Sequence, residues 1–588
     1  MFLRKPKFYF VFLLAVAFFI PYFARANSVS LGQKNDFFIQ PTYDVSGREK
    51  ISATLQKIGQ RAYFYVETKW WDGLSYQEKQ EMEQAIQSLD FEFSQRIYPS
   101  LTSVFGFEWK PGIDRDNLVT ILIHQMAGEA RGYFNEADEY SKFEEPKSNE
   151  REMIYLNADI LTSNLVKSFL AHEFSHLISF NQKERTQNVK EETWLNEMRA
   201  EMAPTIVGYD ASEYSGSNLE QRLNIFLENP SDSITEWQNK KGDYGALNIF
   251  GQYLFERYGI NILTDSLRSA KTGIESLNEA LKKNGFSESF SQIFTDWTIA
   301  VLVNNCQLGQ KYCYQNKNLQ NFGVIPAMNF LPVKGRGTLG VNNTTKNWAG
   351  NWFQIVGGEG TVEFEFSGDA SGIFRVPYLK RDLSGKYSLE FLSLDVKQKG
   401  KVTLNDFDKN FKSLVIIPSL QSKISNFVNP EPSLPYFWSV STLGDESSNN
   451  SSYLVEPINK MSREEILAKI SDIENILRQL KDQLTKLALL DGAVSGDVSC
   501  ERLDENLSFG TKNDNQVKCL QQFLKNQGQE IYPEGLVTGN FGTLTRAAVI
   551  RFQEKYASEI LMPFSLTQGN GFVGERTRAK INELLATN

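Results

Sequence analysis

The chain has 588 residues, of which 41% are hydrophobic and 23% are charged, and its formal net charge at pH 7 is −9. A chain of this length is too long for one hydrophobic core, so several domains are expected. The negative charge, without a basic stripe interleaved with aromatic residues, argues against nucleic acid as a partner and does not favour adsorption to anionic lipid.

The first residues have the composition of an export signal. Three basic residues precede an apolar stretch from Phe8 to Ile20, and residues 24–26 read Ala-Arg-Ala, the small-x-small form of a cleavage site. This pattern predicts a signal peptide over residues 1–26 and a protein that is secreted or held at the cell wall. An uncleaved anchor is the alternative, but the stretch is short for a membrane span, and no span is expected after signal removal.

The next segment predicts a mixed sheet and one acidic loop. Residues 51–55 and 62–66 have the composition of strands, and a third strand is expected to run from Val119 and end at His124. His124 could approach a cleft, although a surface or packed histidine is favoured. The acidic loop from Glu136 to Glu145 could bind Ca²⁺, but its charge favours a solvated loop, so Ca²⁺ is not supported as a cofactor.

The helix predicted after this loop carries His172, Glu173 and His176, and thus two of the three histidines of the chain. Histidines four positions apart share one face of a helix, where they can bind one Zn²⁺, and the adjacent glutamate can act on water. Apolar residues at helical spacing on both sides predict a mostly buried helix. An amphipathic helix with chance histidines is the alternative, but burying these groups without a partner would cost several kcal/mol.

Catalytic zinc needs a third protein ligand, and two acids downstream are candidates for it. Glu197 follows His176 by about twenty residues, which allows a turn and a return helix. Glu201 lies one helical turn further on and is predicted to accept the free N–H of His172. The two acids could exchange these roles, or both could belong to a solvated acidic face.

The motif H-E-F-S-H at 172–176, followed by W-L-N-E at 194–197, resembles the gluzincin zinc metallopeptidases, the superfamily of thermolysin. Within it, residues 45 to 330 are most similar to the hyicolysin-type neutral metallopeptidases, although Met198 replaces a usual glycine. The resemblance implies an α+β catalytic domain in which His172, His176 and Glu197 hold zinc. Glu173 would be the general base, taking a proton from water and returning it to the leaving amine.

The gluzincin resemblance also implies a further hydrogen-bond donor for the oxyanion, from the helical region after the third ligand. Residues 243–246 open such a helix, which runs to Gly259, and Tyr244 is the candidate. A half-buried tyrosine that only packs or caps is the alternative.

The four cysteines form two close pairs, Cys306 with Cys313 and Cys500 with Cys519. In an oxidising compartment both separations suit a local disulfide. Zinc binding by these pairs is disfavoured because they lack Cys-x-x-Cys spacing and nearby histidine, although free thiols remain possible at a reducing surface.

Composition shifts divide the remainder of the chain. The catalytic domain is expected over residues 27–330, with helices from 219 to 305, and an all-β sandwich over 331–456 that serves as a spacer or a weak substrate-binding module. Residues 461–491 carry about three heptads, which predict a short coiled coil that could dimerise the protein, fold against a neighbour or act as a spacer helix.

The last segment, residues 498–588, predicts a small all-α bundle. Its run V-T-G-N-F-G-T-L-T at 537–545 resembles the peptidoglycan-binding domain of bacterial wall enzymes, and residues 571–578 repeat the same turn-then-helix pattern. Thr538 replaces a frequent aspartate, and the insertion from Glu554 to Asn570 is long. The resemblance implies peptidoglycan as a partner; a helical bundle without a ligand is the alternative.

These features together predict a secreted, multidomain zinc metalloendopeptidase that acts on protein or peptide substrates and is carried to the cell wall by its last domain. Two alternatives remain. The same zinc site could hydrolyse the stem peptides of the wall itself, or the protein could be a catalytically silent wall-binding scaffold. A scaffold has no physical need for Glu173 beside two metal ligands, and this argues against silence.

Overall fold

The computed structural model describes residues 29–128, 130–212, 216–332, 335–423, 432–443, 500–512, 514–562 and 569–586. The predicted signal peptide and the predicted coiled coil lie outside these residues and stay predictions. In the part of the chain that is described, no helix is both long and apolar enough to cross a membrane.

The first sheet has six strands in the order β1-β2-β3-β4-β6-β5, so β5 is an edge strand. The three central strands pair in parallel and are buried along their whole length, which explains their almost continuous apolar sequences. The strands are β1 (Lys34–Phe38), β2 (Lys50–Ile58), β3 (Ala62–Glu67), β4 (Val119–His124), β5 (Gly132–Phe134) and β6 (Met153–Asn157).

Helices cover one face of this sheet and continue into an all-helical region, and both share one hydrophobic core. Helix α4 packs on β5, β6 and α5, while α8 packs on both α5 and α7. The helices are α1 (Thr68–Gly73), α2 (Tyr76–Glu92), α3 (Tyr98–Phe105), α4 (Val166–Ser179), α5 (Thr193–Val207), α6 (Tyr209–Ser212), α7 (Asn218–Glu228), α8 (Lys241–Tyr258), α9 (Asn261–Leu267), α10 (Gly273–Lys283) and α11 (Phe290–Val303).

A π-helical segment, Phe180–Arg185, continues helix α4 beyond its last turn. It carries Lys183, whose buried ammonium donates to the carbonyls of Ser266 and Ser269 at 2.8 and 2.9 Å and lies 3.3 Å from Glu191. This lysine therefore ties the end of α4 to the loop between α9 and α10.

The acidic loop after β5 differs from its prediction. Asp138 and Glu139 are 0% and 3% exposed, so the expectation of a solvated charged loop is wrong for these two residues. The Asp138 carboxylate accepts hydrogen bonds from the Tyr155 hydroxyl at 2.6 Å and from the Asn149 backbone N–H at 2.8 Å. The turn folds inward because donors from other parts of the chain bind Asp138, and counting charges along the sequence does not reveal this.

The following domain is all-β, with nine strands in one continuous sheet and a separate two-stranded ribbon of β11 and β16. The expected sandwich is therefore built mainly by one sheet whose strands share a core, as a large twisted sheet does when it curls on itself. The strands are β7 (Ala327–Phe330), β8 (Gly337–Thr345), β9 (Phe353–Val356), β10 (Gly360–Gly368), β11 (Phe374–Arg375), β12 (Pro377–Asp382), β13 (Tyr387–Phe391), β14 (Lys399–Phe407), β15 (Phe411–Ile416), β16 (Ser419–Leu420) and β17 (Leu434–Thr442).

The C-terminal region is helical and has its own core. Its helices are α12 (Asn515–Asn526), α13 (Thr543–Lys555), α14 (Ala557–Ile560) and α15 (Glu575–Ala586).

A buried glutamine holds each of the two turns that the sequence repeats in the C-terminal region. The Gln521 amide donates to Thr545 Oγ1 at 2.9 Å and accepts from the Gly539 N–H at 2.9 Å. Gln553 donates to Thr577 Oγ1 at 3.0 Å and accepts from the Gly571 N–H at 2.9 Å. The two repeats therefore share the same hydrogen bonds as well as a similar sequence.

Both predicted disulfides are present. Cys306 is bonded to Cys313 and Cys500 to Cys519, with Cα atoms 5.0 and 4.7 Å apart. The first closes the loop after α11, and the second joins the start of the C-terminal region to helix α12.

Candidate metal centre

Two packed helices bring the candidate ligands together. Helix α4 carries His172, Glu173 and His176, and helix α5 carries Glu197 and Glu201. Spacings of four residues place the two histidines on one face of α4 and the two acids on one face of α5. Since α4 and α5 pack against each other, these two faces meet.

Three atoms converge where the helices meet. The two imidazole Nε2 atoms of His172 and His176 lie 3.2 Å apart. Glu197 Oε2 lies 3.3 Å from Nε2 of His172 and 3.6 Å from Nε2 of His176. The three side chains keep 12%, 9% and 15% of their surface exposed, so solvent can reach the site.

This triangle has the dimensions of a zinc site. Ligands at 2.0–2.1 Å in a tetrahedron lie about 3.3 Å from one another. Glu197 Oε2 is also buried and meets hydrogen-bond geometry with no donor among the described residues, so a cation between it and the two ring nitrogens would replace the water that burial removes. The donor set of two imidazoles and one carboxylate therefore fits Zn²⁺ and leaves a fourth position open.

The imidazoles and carboxylates of the site shift one another's pKa values. Burial would lower the pKa of His172, but before zinc binds the neighbouring carboxylates of Glu197 and Glu201 raise it to about 10, so zinc must displace a proton from this ring. Burial would likewise raise the pKa of Glu197, but the neighbouring His176 and His172 lower it to about 2. The carboxylate of Glu197 is thus held in its ionised form, which is the form that binds a metal.

Glu201 is buried behind His172. Its Oε1 lies 3.4 Å from Nδ1 of His172, on the side of the ring away from the three converging atoms. Arg222 donates to both carboxylate oxygens at 2.8 Å, and the side-chain amides of Asn218 and Asn248 donate to Oε2 at 3.2 and 3.1 Å. The hydrogen bonds from Arg222, Asn218 and Asn248 hold the Glu201 carboxylate in place, and the carboxylate in turn fixes the orientation of the His172 ring.

Glu173 lies on the other side of the site, beside the edge strand β5. Its side chain is 7% exposed, and burial raises its pKa. A β-carbon at Gly132 would lie 3.1 Å from Cγ of Glu173 and 2.9 Å from the carbonyl oxygen of Tyr155. Only a glycine at this position lets the strand approach the acid so closely.

Two tyrosines border the site. Tyr244, in the first turn of α8, donates its hydroxyl to Asn239 Oδ1 at 3.2 Å, and the guanidinium of Arg222 lies 4.6 Å from its ring centroid. Burial and the nearby acids of the site raise its pKa. Tyr43 was not found from the sequence; burial and the charges of Glu173 and Glu197 raise its pKa too. No local motif marks Tyr43, because a distant N-terminal turn brings it here.

His124 is not part of this cluster. It is fully buried, with Nδ1 3.1 Å from the carbonyl oxygen of Gln125 and 4.0 Å from Asp44. Burial lowers its pKa to about 4, so it is neutral at pH 7. The prediction that His124 is a packed histidine agrees with this position.

Comparisons with known proteins support the resemblance that the motifs carry. Over 239 residues the chain is 26% identical to the neutral metalloprotease ShpI of Staphylococcus hyicus, an alignment that covers 36% of this chain and 51% of the relative. The chain therefore spans about half the length of that relative. The family model described as "Putative peptidoglycan binding domain" matches residues 513–557.

Solved structures add no argument about the fold. A periplasmic lysozyme inhibitor from Aeromonas hydrophila is 11% identical, with 20% of this chain and 98% of that chain covered, at a TM-score of 0.13. A family GH115 4-O-methyl-α-glucuronidase is 8% identical, with 56% and 52% covered, at the same TM-score of 0.13. The similarities in sequence are thus the informative ones: the chain resembles a metalloprotease and carries a segment of the peptidoglycan-binding kind.

The buried contact between Glu201 and His172 generates a testable prediction. Replacing Glu201→Gln removes the charge that orients the imidazole and pairs with Arg222, and we expect zinc affinity to fall about 10-fold to 100-fold. Competition with a chromophoric chelator measures this affinity in the full chain. The control is Glu83→Gln, an exposed acid on α2, which should bind zinc like the unchanged protein. Equal affinities for all three proteins would contradict the role given to Glu201.

Proposed function

We propose that this protein is an exported, gluzincin-type zinc endopeptidase whose C-terminal domain holds it at the bacterial cell wall. The single observation that carries the proposal is the convergence of two imidazole nitrogens and one carboxylate oxygen at 3.2 to 3.6 Å. Similarity to a neutral metalloprotease and to a peptidoglycan-binding family supports it independently.

In this proposal His172, His176 and Glu197 hold zinc, and Glu201 keeps His172 in position. Zinc, when bound, would polarise the scissile carbonyl and acidify water at its open position. Glu173 accepts the proton of the attacking water and returns it to the leaving amine. Burial suits Glu173 to this task, because it raises the pKa of the carboxyl toward the working pH.

Strand β5 offers a route for the substrate. Among the strands that the structure describes it pairs only with β6, so its outer edge presents backbone N–H and C=O groups beside Glu173. An extended peptide can add to such an edge as another strand, which fixes its backbone while leaving its side chains free. This mode of binding favours an endopeptidase that accepts unfolded or extended segments.

Replacing Glu173→Gln tests the proposed general base. The amide cannot take a proton, so we expect hydrolysis of unfolded casein to fall by about 10²-fold or more, while one zinc per chain is retained. Hydrolysis is followed by release of soluble peptides, and metal content by elemental analysis. His176→Ala is the matched variant that should lose both zinc and activity. Full activity in the Glu173→Gln protein would refute the assignment.

The same assay on isolated sacculi separates the candidate substrates. Release of wall peptides with casein left intact would favour a stem-peptide hydrolase. Cleavage of neither polymer by the zinc-loaded chain would favour a scaffold.

The proposed oxyanion donor is Tyr244, and Tyr43 is the competing group. Loss of one such donor typically lowers kcat by about 10²-fold to 10³-fold with little change in KM. We expect Tyr244→Phe to show this loss on a peptide substrate and to keep its zinc. Tyr43→Phe is the matched comparison, since it removes the other phenol at the border of the site. A larger loss in Tyr43→Phe would transfer the role to that residue.

A cavity supports wall binding by the C-terminal domain. It has a volume of about 990 Å³ and lies between this domain and the two preceding ones. Thr538, Asn540 and Thr545 of the first repeated turn line one side, and Arg381 and Lys386 of the β-domain line the other. Polar groups with nearby cations suit the carboxylates of a wall peptide.

Removing the last domain tests its proposed role. We expect the full chain to sediment with isolated sacculi, and a chain ending at residue 499 to remain in the supernatant because it lacks the domain that matches the binding family. Continued casein hydrolysis by the shortened chain shows that the remainder is folded. Equal sedimentation of both proteins would contradict wall targeting by this domain.

A further inference from the structure

The β-domain carries a cavity of its own on its large sheet. This cavity has a volume of about 590 Å³, within the range of small-molecule sites, and lies where β8, β17 and β10 run side by side. Along β17, Tyr436 and Trp438 belong to the core of the domain, so Phe437 between them points to the opposite face. The cavity therefore opens on the solvent face of the sheet.

An aromatic ring forms part of the wall of this cavity. Phe437 is half-buried, and a β-carbon at Gly340 on the neighbouring strand would lie 3.0 Å from two atoms of its ring. Gly340 pairs with Ser439, two residues after Phe437, so the ring leans diagonally across β8 over a residue without a side chain. A ring that lies down on a sheet in this way offers one flat apolar face to a ligand.

Polar side chains lie on both sides of this ring. In the register of the sheet, Asn342 and Ser367 are the two residues directly opposite Phe437, one on each neighbouring strand. Thr344 lies two residues further along β8, on the same face, opposite Pro435. Among the described residues, no hydrogen bond engages the side chains of Asn342, Ser367 or Thr344, so their amide and hydroxyl groups are available to a ligand.

The charge of the cavity limits what it can bind. Its one acid is Asp369, whose Oδ1 accepts the Ser371 N–H at 2.8 Å and the Ser371 hydroxyl at 2.6 Å; these bonds lower the pKa of the carboxyl. No lysine, arginine or histidine is among the described residues that line the cavity, so a phosphate or carboxylate would find no cation here. A quaternary ammonium would need more than one aromatic ring around it.

We propose that this cavity binds a neutral saccharide. The C–H face of a sugar ring is apolar and would pack on Phe437, while the hydroxyls at its edge both donate and accept hydrogen bonds. Asn342, Thr344 and Ser367 can serve as donors and acceptors, and Asp369 as an acceptor. Glycan strands of a cell wall and plain glucans share this chemistry. The β-domain would thus contact a glycan independently of the zinc site and of the C-terminal domain.

Calorimetric titration of the zinc-loaded full chain with two oligosaccharides tests the site. Chitotetraose stands for an N-acetylated wall glycan and cellotetraose for a glucan, and we expect at least one of them to bind with a Kd of about 1 mM or below. Phe437→Ala should weaken this binding about 10-fold, because the stacking surface is lost. The matched control is Phe391→Ala, an exposed phenylalanine on β13 at the other end of the sheet, which should keep the full affinity.

A second variant keeps the test decisive if Phe437→Ala does not fold. Asn342 is exposed, so Asn342→Ala should leave the fold intact and weaken binding about 2-fold to 10-fold through the loss of hydrogen bonds. The titration needs no turnover, so its result stands whether or not the protein cleaves casein. Binding of neither oligosaccharide, or equal affinities in the cavity variants and in Phe391→Ala, would overturn the proposal.

Discussion

The arrangement of the site depends on the packing of α4 against α5. Each helix contributes one face with a spacing of four residues, and the contact between the faces brings His172, His176 and Glu197 within 3.6 Å of one another. A cation bound by these three donor atoms would add its binding free energy to the stability of this packing. Metal binding and the stability of this part of the fold are therefore expected to be coupled.

Buried charged side chains behind the site hold its residues and helices in position. Arg222 holds both oxygens of Glu201 at 2.8 Å, so the acid behind His172 cannot turn away from the ring. Lys183 follows the last turn of α4, and its ammonium donates to the carbonyls of Ser266 at the end of α9 and Ser269 in the loop after it. Buried charges in this domain thus lie where elements from distant parts of the chain must be held in register.

Local patterns in the sequence predicted much of the site. The spacing of histidines and acids placed them on the two helix faces that meet in the structure, because helical periodicity is a local property. The helix that carries Tyr244 ends at Tyr258, and Gly259 follows it with a φ of +78°, a conformation that favours glycine. Both cysteine pairs are bonded as their short separations predicted.

Long-range contacts account for what the sequence did not reveal. Tyr43 reaches the site from an N-terminal turn, and Glu139 is buried because Tyr155 and Asn149 bind the acid that precedes it. The β-domain has strand-like alternation throughout, but that alternation is the same whether strands form two sheets or one curled sheet. None of these features has a signal within a short window of residues.

X-ray absorption at the zinc edge of the full-length, zinc-loaded protein tests the central claim most directly. The account predicts one zinc per chain with two imidazole nitrogens and oxygen ligands at about 2.0 to 2.1 Å and no sulfur. His176→Ala should lose one imidazole contribution. A spectrum with sulfur ligands, with fewer than two imidazoles in the unchanged protein, or no stoichiometric zinc would contradict it.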